Sequence, residues 1–338
     1  MKPMARPLRL EFPNAVYHVT SRGNRKERIF LTGRDRCVFL AKLNDTLEKF
    51  SFICYAYCLM GNHYHLFLRT PRPNLAKGMH YLNASYTNWF KVKHSLVGVV
   101  FQGRYKAILV DEDAYARTLA AYIHLNPVRA GIVDDVGRYP WSSYLNITRS
   151  RPTRLERLDP SFILSLFGEE PAAAAMEFDK FVRGNAAMES PFKDVKKGCM
   201  LGSKEFVEKI TARIEAGGRV REIPETRVDP FDGLKEDAII TKVTEILETE
   251  RERIFERRNN NLHRQLALYI LKKHSPLKLN EIGNMFGMDY AAVHEAVKRL
   301  EKVRLKDRAV EAMILRAEEL MRGQVSIFKF LPHEKLEN

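Results

Sequence analysis

Gly61-Asn62-His63-Tyr64-His65-Leu66-Phe67-Leu68 decides how the first half of this chain folds. Met60-Gly61-Asn62 is turn chemistry, and the apolar run after it reads as a strand. Side chains in a strand alternate between faces. His63 and His65 therefore point one way, and Tyr64, Leu66 and Leu68 the other way, into a core. Two imidazoles on one face can share a divalent cation. Taken alone, the pair reads more plainly as two half-exposed strand histidines.

Outward from the turn, Phe52 to Leu59 reads as a strand that pairs with His63 to Arg69 as a hairpin. Upstream, Ala15-Val16-Tyr17-His18-Val19-Thr20 alternates like a strand, and Ser21-Arg22-Gly23-Asn24 turns. Arg34 to Phe50 is a helix with Val38, Leu40, Ala41, Leu43 and Leu47 on a broad apolar face. Downstream, Asn74 to about Lys93 carries Leu75, Met79, Leu82, Tyr86 and Phe90 at helical spacing, and Gly103 to Val110 is a fourth strand. The order is β-α-β-β-α-β. That predicts an α+β, ferredoxin-like fold: a four-stranded antiparallel sheet with two helices on one face. The histidine pair then sits on a central strand.

Asp111-Glu112-Asp113 opens a further helix, since acids favour the positive end of the helix dipole. It is predicted over Ala114 to Asn126, with Pro127 as its stop. Tyr115, Leu119, Tyr122 and Asn126 share one stripe, so Tyr122 and Asn126 are neighbours one turn apart. Their plain readings are a packed aromatic and a polar helix end. His124 points elsewhere and reads as structural.

Trp141-Ser142-Ser143-Tyr144 closes a first domain, 1–147. Residues 148–233 read as a helical connector and linker: a basic stretch with Arg149, Arg151 and Arg154, short helices over 160–216, then Gly217, Gly218, Pro224, Pro230 and Gly233. A helical domain follows over 234–312, with one helix over 235–257 and another from Leu262 to Lys273, broken by Pro276. Leu279 to Phe286 is a short helix capped by Gly287, and Asp289 caps a helix from Tyr290 to about Leu300. Helix, glycine turn, helix is the helix-turn-helix pattern. Residues 304–338 read as one more helix and a polar tail, the tail taken as 313–338.

Lys and Arg number 56 against 42 acids, a net charge of +14, which points to a polyanionic partner such as nucleic acid. A hydrophobic share of 45% argues against general disorder. Cys37, Cys54, Cys58 and Cys199 complete no zinc pattern and read as reduced thiols of a soluble, cytoplasmic protein. No apolar run approaches the ~18 residues a membrane span needs.

His63-Tyr64-His65 resembles the HUH motif, in which U is a bulky apolar residue. Tyr122-Ile123-His124-Leu125-Asn126-Pro127-Val128-Arg129-Ala130-Gly131 resembles the block that carries the single tyrosine of REP-associated tyrosine transposases, relatives of the single-tyrosine transposases of insertion sequences. The opening Arg6-Pro7-Leu8-Arg9 and the Trp141 to Tyr144 segment agree with the resemblance, which covers roughly residues 8–146. It implies that Tyr122 is the nucleophile and that His63, His65 and Asn126 hold a divalent metal, magnesium or manganese. Attack on single-stranded, hairpin DNA would give a 5′-phosphotyrosine and free a 3′-hydroxyl for strand transfer. Arg22, Arg25, Lys26, Arg28, Arg104 and Lys106 are the cationic candidates for that DNA.

Arg264 to Tyr269, Leu279 to Gly283, Phe286-Gly287 and Val293 resemble the DNA-binding domain of the bacterial replication initiator. That implies double-stranded DNA as a second partner, with Tyr290, Ala291, His294 and Lys298 as candidate contacts. Competing readings are a replication or conjugation initiator of the same two-histidine type, a non-catalytic DNA-binding regulator, and a histidine-based phosphohydrolase. Monomer and homodimer both fit.

Overall fold

The structure, a computed structural model, describes residues 10–149, 155, 157–215, 234, 236–258, 261–275 and 277–321. Arg6-Pro7-Leu8-Arg9, Arg151, Arg154, Gly217, Gly218, Pro224, Pro230, Gly233, Pro276 and the tail from 322 lie outside the described residues.

Strand β1 (Ala15–Arg22), helix α1 (Gly33–Lys49), strands β2 (Ile53–Leu59) and β3 (His63–Thr70), helix α2 (Leu75–His94) and strand β4 (Lys106–Val110) follow in the expected order. The strands lie in the order β2-β3-β1-β4, each pair antiparallel, so the fold class is α+β as expected. β4 starts at Lys106 rather than Gly103, because Gly103 sits in the left-handed region with φ +75° and interrupts extended backbone. A fifth strand, β5 (Met200–Leu201), pairs parallel to β4 through Leu109 and Met200. The segment after residue 147, read from sequence as a connector, thus contributes to the sheet.

A capping box starts α1: Thr32 Oγ1 accepts from the Asp35 amide and the Asp35 carboxylate accepts from the Thr32 amide. One sheet face, with Tyr17, Val19, Tyr64, Leu66 and Leu68, packs on α1 and α2 through Phe39, Leu43, Leu47, Leu82 and Tyr86. Gly78 of α2 is required there, since a Cβ would stand 2.4 Å from the Phe52 ring.

The opposite face carries the histidines. Helices α3 (Glu112–Arg129), α4 (Tyr144–Thr148), α5 (Pro160–Ser165) and α6 (Pro171–Gly184) follow β4, and α7 (Lys204–Glu215) follows β5. On this face Phe162 of α5 stacks on Tyr55 at 3.9 Å and meets Phe67 edge-on. Helix α3 does not stop at Pro127 but continues to Arg129. Proline lacks the N–H that would bond the Ile123 carbonyl, and the Asn126 amide nitrogen donates to that carbonyl instead, at 3.3 Å. Trp141 to Ser143 lines the free edge of β2: Leu59 N–H donates to the Trp141 carbonyl and Ser143 N–H to the Tyr57 carbonyl.

The chain divides into two compact units, residues 1–223 with 276–294, and residues 224–275 with 295–338. In the first, α11 (Leu279–Phe286) ends on Gly287 with φ +60°, and the Asp289 carboxylate caps the start of α12 (Tyr290–Arg304) by accepting from the Ala292 amide at 2.6 Å. The second unit holds α8 (Glu236–Ile246), α9 (Arg251–Phe255), α10 (Leu262–His274), the later turns of α12 and α13 (Arg308–Met321). The single helix expected over 235–257 is two, α8 and α9, because Glu248 adopts φ +48° and breaks the ladder. Tyr269 donates to Glu318 at 3.0 Å, tying α10 to α13. Among the described residues no helix is long and apolar enough to cross a membrane.

Candidate active site

Antiparallel pairing sets His63 opposite Arg22, His65 opposite Thr20 and Phe67 opposite His18. Residues directly opposite share a face. His63, His65, Arg22 and His18 therefore lie on one side of the sheet. The His63 and His65 rings are 4.9 Å apart. Helix α3 lies on this same side and brings the half-buried Tyr122 ring to 6.1 Å from that of His65.

Two features hold α3 there. Ala116, Leu119, Ala120 and Ile123 are buried. His124, also buried, places Nε2 2.9 Å from Ser143 Oγ, and that oxygen accepts the Tyr57 amide of β2 at 2.9 Å. Burial lowers the His124 pKa to about 3, so it stays neutral in this structural role. Asn126, one turn beyond Tyr122, donates from its amide nitrogen to the Tyr122 carbonyl at 2.8 Å. With its nitrogen committed to the helix, the amide oxygen is the end left to accept or ligate. The Arg129 guanidinium stands 4.8 Å from the Tyr122 ring centroid.

Both strand histidines are uncharged at neutral pH. Burial, then the nearby Arg22 cation, lowers His63 to about 4. Burial, then His18, His63 and Arg22, holds His65 well below the usual histidine range. Neutral imidazole is the form that ligates metals. His63 Nδ1 contacts Asn62 Oδ1 at 2.6 Å, and His65 Nδ1 contacts His18 Nε2 at 3.0 Å. His65 Nε2 is buried without a hydrogen-bond partner among the described residues. Among the described residues no group of three or more His, Cys, Asp or Glu side chains could hold a metal ion.

Sequence reasoning missed two residues of this face. The alternation that sends Tyr17 and Val19 into the core sends His18 to the imidazole side, and that signal was available. Phe192 carried none. It lies on a short 3-10 turn (Pro191–Asp194), stacks on His18 at 4.6 Å and meets Tyr122 edge-on at 5.1 Å.

Arg22, Arg25, Lys26, Arg28, Arg104 and Lys106 are exposed. They gather at the His63 end of the sheet, where β1 ends and β3 and β4 begin. The loop after β1 is pinned to the hairpin turn: Gly23 N–H donates to the Asn62 carbonyl and Ile29 N–H to the Gly61 carbonyl. The candidate contacts of α12 fare differently. Ala291 and His294 are buried, and Tyr290 is 8% exposed, its pKa pushed up to about 12 by burial and then Asp289. His294 meets Phe162 edge-on at 6.2 Å, so these three side chains pack inward in this structure. Lys298 remains available, beside Glu295 at 4.0 Å.

Residues 11–126 match the family model described as Transposase IS200 like. The chain is 28% identical over 118 residues to a Haemophilus influenzae protein assigned to the REP-associated tyrosine transposases, a match covering 31% of this chain and 66% of that protein, just short of two thirds. It is 48% identical over 52 residues to the chromosomal replication initiator protein DnaA of Thermodesulfovibrio yellowstonii, covering 15% of this chain and 12% of that one. A solved structure of a REP-associated tyrosine transposase bound to a REP hairpin aligns at 17% identity and TM-score 0.38, over 45% of this chain and 90% of that one. The stretch that carries His63, His65 and nearly all of α3 thus matches the IS200-like transposases, and the resemblance to REP-associated tyrosine transposases is borne out.

Proposed function

We propose that the sheet unit is a metal-dependent single-strand DNA endonuclease and strand transferase with Tyr122 as nucleophile. One observation carries the reading: β3 and α3, far apart in sequence, set Tyr122 against His65 on one sheet face. A phenol of ordinary pKa near 10 needs help to attack a phosphodiester. Attack by the Tyr122 oxygen on a scissile phosphate forms a 5′-phosphotyrosine and releases a 3′-hydroxyl. The covalent bond keeps the phosphodiester energy, so a second 3′-hydroxyl can reverse the step and join a new strand.

The donor set fits a divalent cation. His65 Nε2 is a buried nitrogen with no partner among the described residues, an arrangement that costs about 1–3 kcal/mol unless something occupies it. His63, His65 and the Asn126 amide oxygen would hold the ion, with magnesium or manganese suited to the mixed nitrogen and oxygen set. When bound, it would polarise the scissile phosphate. Arg129, beside the Tyr122 ring, adds positive charge where the phenolate develops.

The substrate proposed is hairpin DNA with a single-stranded flank, led to the site by Arg22, Arg25, Lys26, Arg28, Arg104 and Lys106. The Haemophilus relative's assignment as REP-associated favours repeat-associated DNA. Double-stranded DNA is proposed as a second partner of the helices from α10 to α12, on the similarity to the initiator, with Lys298 as the exposed contact.

The test is a covalent adduct. Full-length protein mixed with labelled hairpin DNA and magnesium should give a denaturant-stable protein–DNA species that Tyr122→Phe lacks. An adduct that survives in Tyr122→Phe removes Tyr122 as the nucleophile. No adduct across a panel of hairpins favours the non-catalytic regulator.

A further inference from the structure

His18 stands behind His65 and touches none of the reacting groups. Its ring is 3% exposed, stacks on Phe192 at 4.6 Å and 14°, and lies nearly parallel to the His65 ring with centroids 5.2 Å apart. Held against Phe192, His18 presents Nε2 to His65 Nδ1 at 3.0 Å. Burial of both rings favours their uncharged forms.

Two uncharged imidazoles joined by one hydrogen bond have two arrangements. In the first, His65 carries its proton on Nδ1 and donates to His18, which leaves a lone pair on His65 Nε2 and a proton on His18 Nδ1. In the second, His18 donates, and His65 Nε2 carries a proton where a cation would have to bind. Among the described residues His65 Nε2 and His18 Nδ1 are both buried without a hydrogen-bond partner, so no other hydrogen bond there selects between the two. Only the first arrangement offers His65 as a ligand, and it exists only if an acceptor faces Nδ1.

We infer that His18 is a positioning residue for His65: it accepts the Nδ1 proton and so turns the Nε2 lone pair toward the Tyr122 side of the sheet. The inference rests on the proposal that His65 ligates a metal, and it adds the residue that sets the tautomer. His63 has its own partner in Asn62 Oδ1, so the two imidazoles are fixed independently. The role requires an acceptor at position 18 and no charge. Glutamine, whose amide oxygen can accept, should therefore substitute, and leucine should not.

The experiment uses the full-length chain in three forms: wild type, His18→Gln and His18→Leu. Manganese affinity is measured by electron paramagnetic resonance, and folding by urea denaturation of the same samples. Removing an outer-shell partner weakens a metal site by about 10–100-fold. That loss is expected for His18→Leu, with most of the affinity restored in His18→Gln and both variants folded. Folded His18→Leu that binds manganese as tightly as wild type overturns the inference. So does a His18→Gln variant as weak as His18→Leu. Nitrogen-15 shifts of His65 in the metal-free wild type supply a readout that needs no metal. A protonated Nδ1 and bare Nε2 are expected, and the reverse overturns the inference. Wild-type protein that takes up no manganese sinks the metal reading instead, and the nitrogen spectrum then decides the tautomer by itself.

Discussion

Asn126 Nδ2 donates to the carbonyl oxygen of Tyr122 at 2.8 Å and to that of Ile123 at 3.3 Å. One side chain thus closes the gap that Pro127 leaves in α3 and fixes its own oxygen at the end turned from the helix. Asn126→Asp keeps an oxygen and loses both donors. It also sets a carboxylate against two carbonyls near the negative end of the helix dipole. The expected cost is about 1–2 kcal/mol of stability, from two bonds of roughly 1 kcal/mol each partly offset by solvent. Urea denaturation measures it, and an unchanged midpoint would mean that the amide nitrogen contributes nothing to α3.

Besides donating to the Tyr57 carbonyl at 3.4 Å, Ser143 Oγ serves two further groups, the Tyr57 amide at 2.9 Å and His124 Nε2 at 2.9 Å. Ser143→Ala leaves both without it, in a place where neither reaches water. At about 1–3 kcal/mol for each buried polar group, a loss of at least 2 kcal/mol is expected. Adding His124→Leu to Ser143→Ala should cost less than the sum of the single changes, because the pair shares one bond. Strict additivity in that cycle would show that the bond does not anchor α3 to β2.

His124 also sets an acid-side dependence of stability. Its folded pKa lies at about 3, below the usual 6.5. As pH falls below 6.5 the unfolded chain takes up a proton that the native chain refuses, so stability is full above that value and drains away toward pH 3. The slope is up to about 1.4 kcal/mol per pH unit for this one group. Denaturation midpoints between pH 7 and 4 should fall for the wild type and fall less steeply in His124→Leu. Equal slopes would remove His124 as a contributor.

How much of this was legible in the sequence varied by element, for physical reasons. Helices α1 and α2 announce themselves by an apolar stripe at helical spacing, and β2 and β3, buried on both faces, by apolar runs bounded by turn residues. The pairing of Tyr122 with the histidine face was a statement about tertiary packing and rested on resemblance. His18 was readable in face but not in register, because nothing local says which cross-strand residue it meets. Strand β5 is two residues long, too short for any period, and its pairing with β4 is made by distant backbone. The burial of Tyr290, Ala291 and His294 was not legible either: helical spacing says which residues share a stripe, not whether that stripe faces water or Phe162. Pro127 was read by its usual effect, and Asn126 overrode it.

Phe192 shows what that unread segment does. It is only partly buried, yet it contacts His18 face to face and Tyr122 edge to face, and its turn leads within a few residues into β5. Backbone bonds hold β5 at two points, Leu109 N–H to the Cys199 carbonyl and Asp111 N–H to the Leu201 carbonyl, each at 2.8 Å, and Cys199 and Met200 pack into the core. Burying a phenylalanine fully is worth about 3–5 kcal/mol on truncation, so roughly 1–2 kcal/mol is expected from this half-buried one. Phe192→Ala should act locally. Amides of residues 196–201 should exchange with deuterium several-fold faster, while those of β1 to β3, held by α1 and α2 from the other side, should not change. Uniform acceleration across the sheet would mean that Phe192 stabilises the whole unit. Unchanged exchange at 196–201 would mean that β4 pairing holds the segment without it, and that the ring rests on Tyr122 and His18 without fastening anything to them.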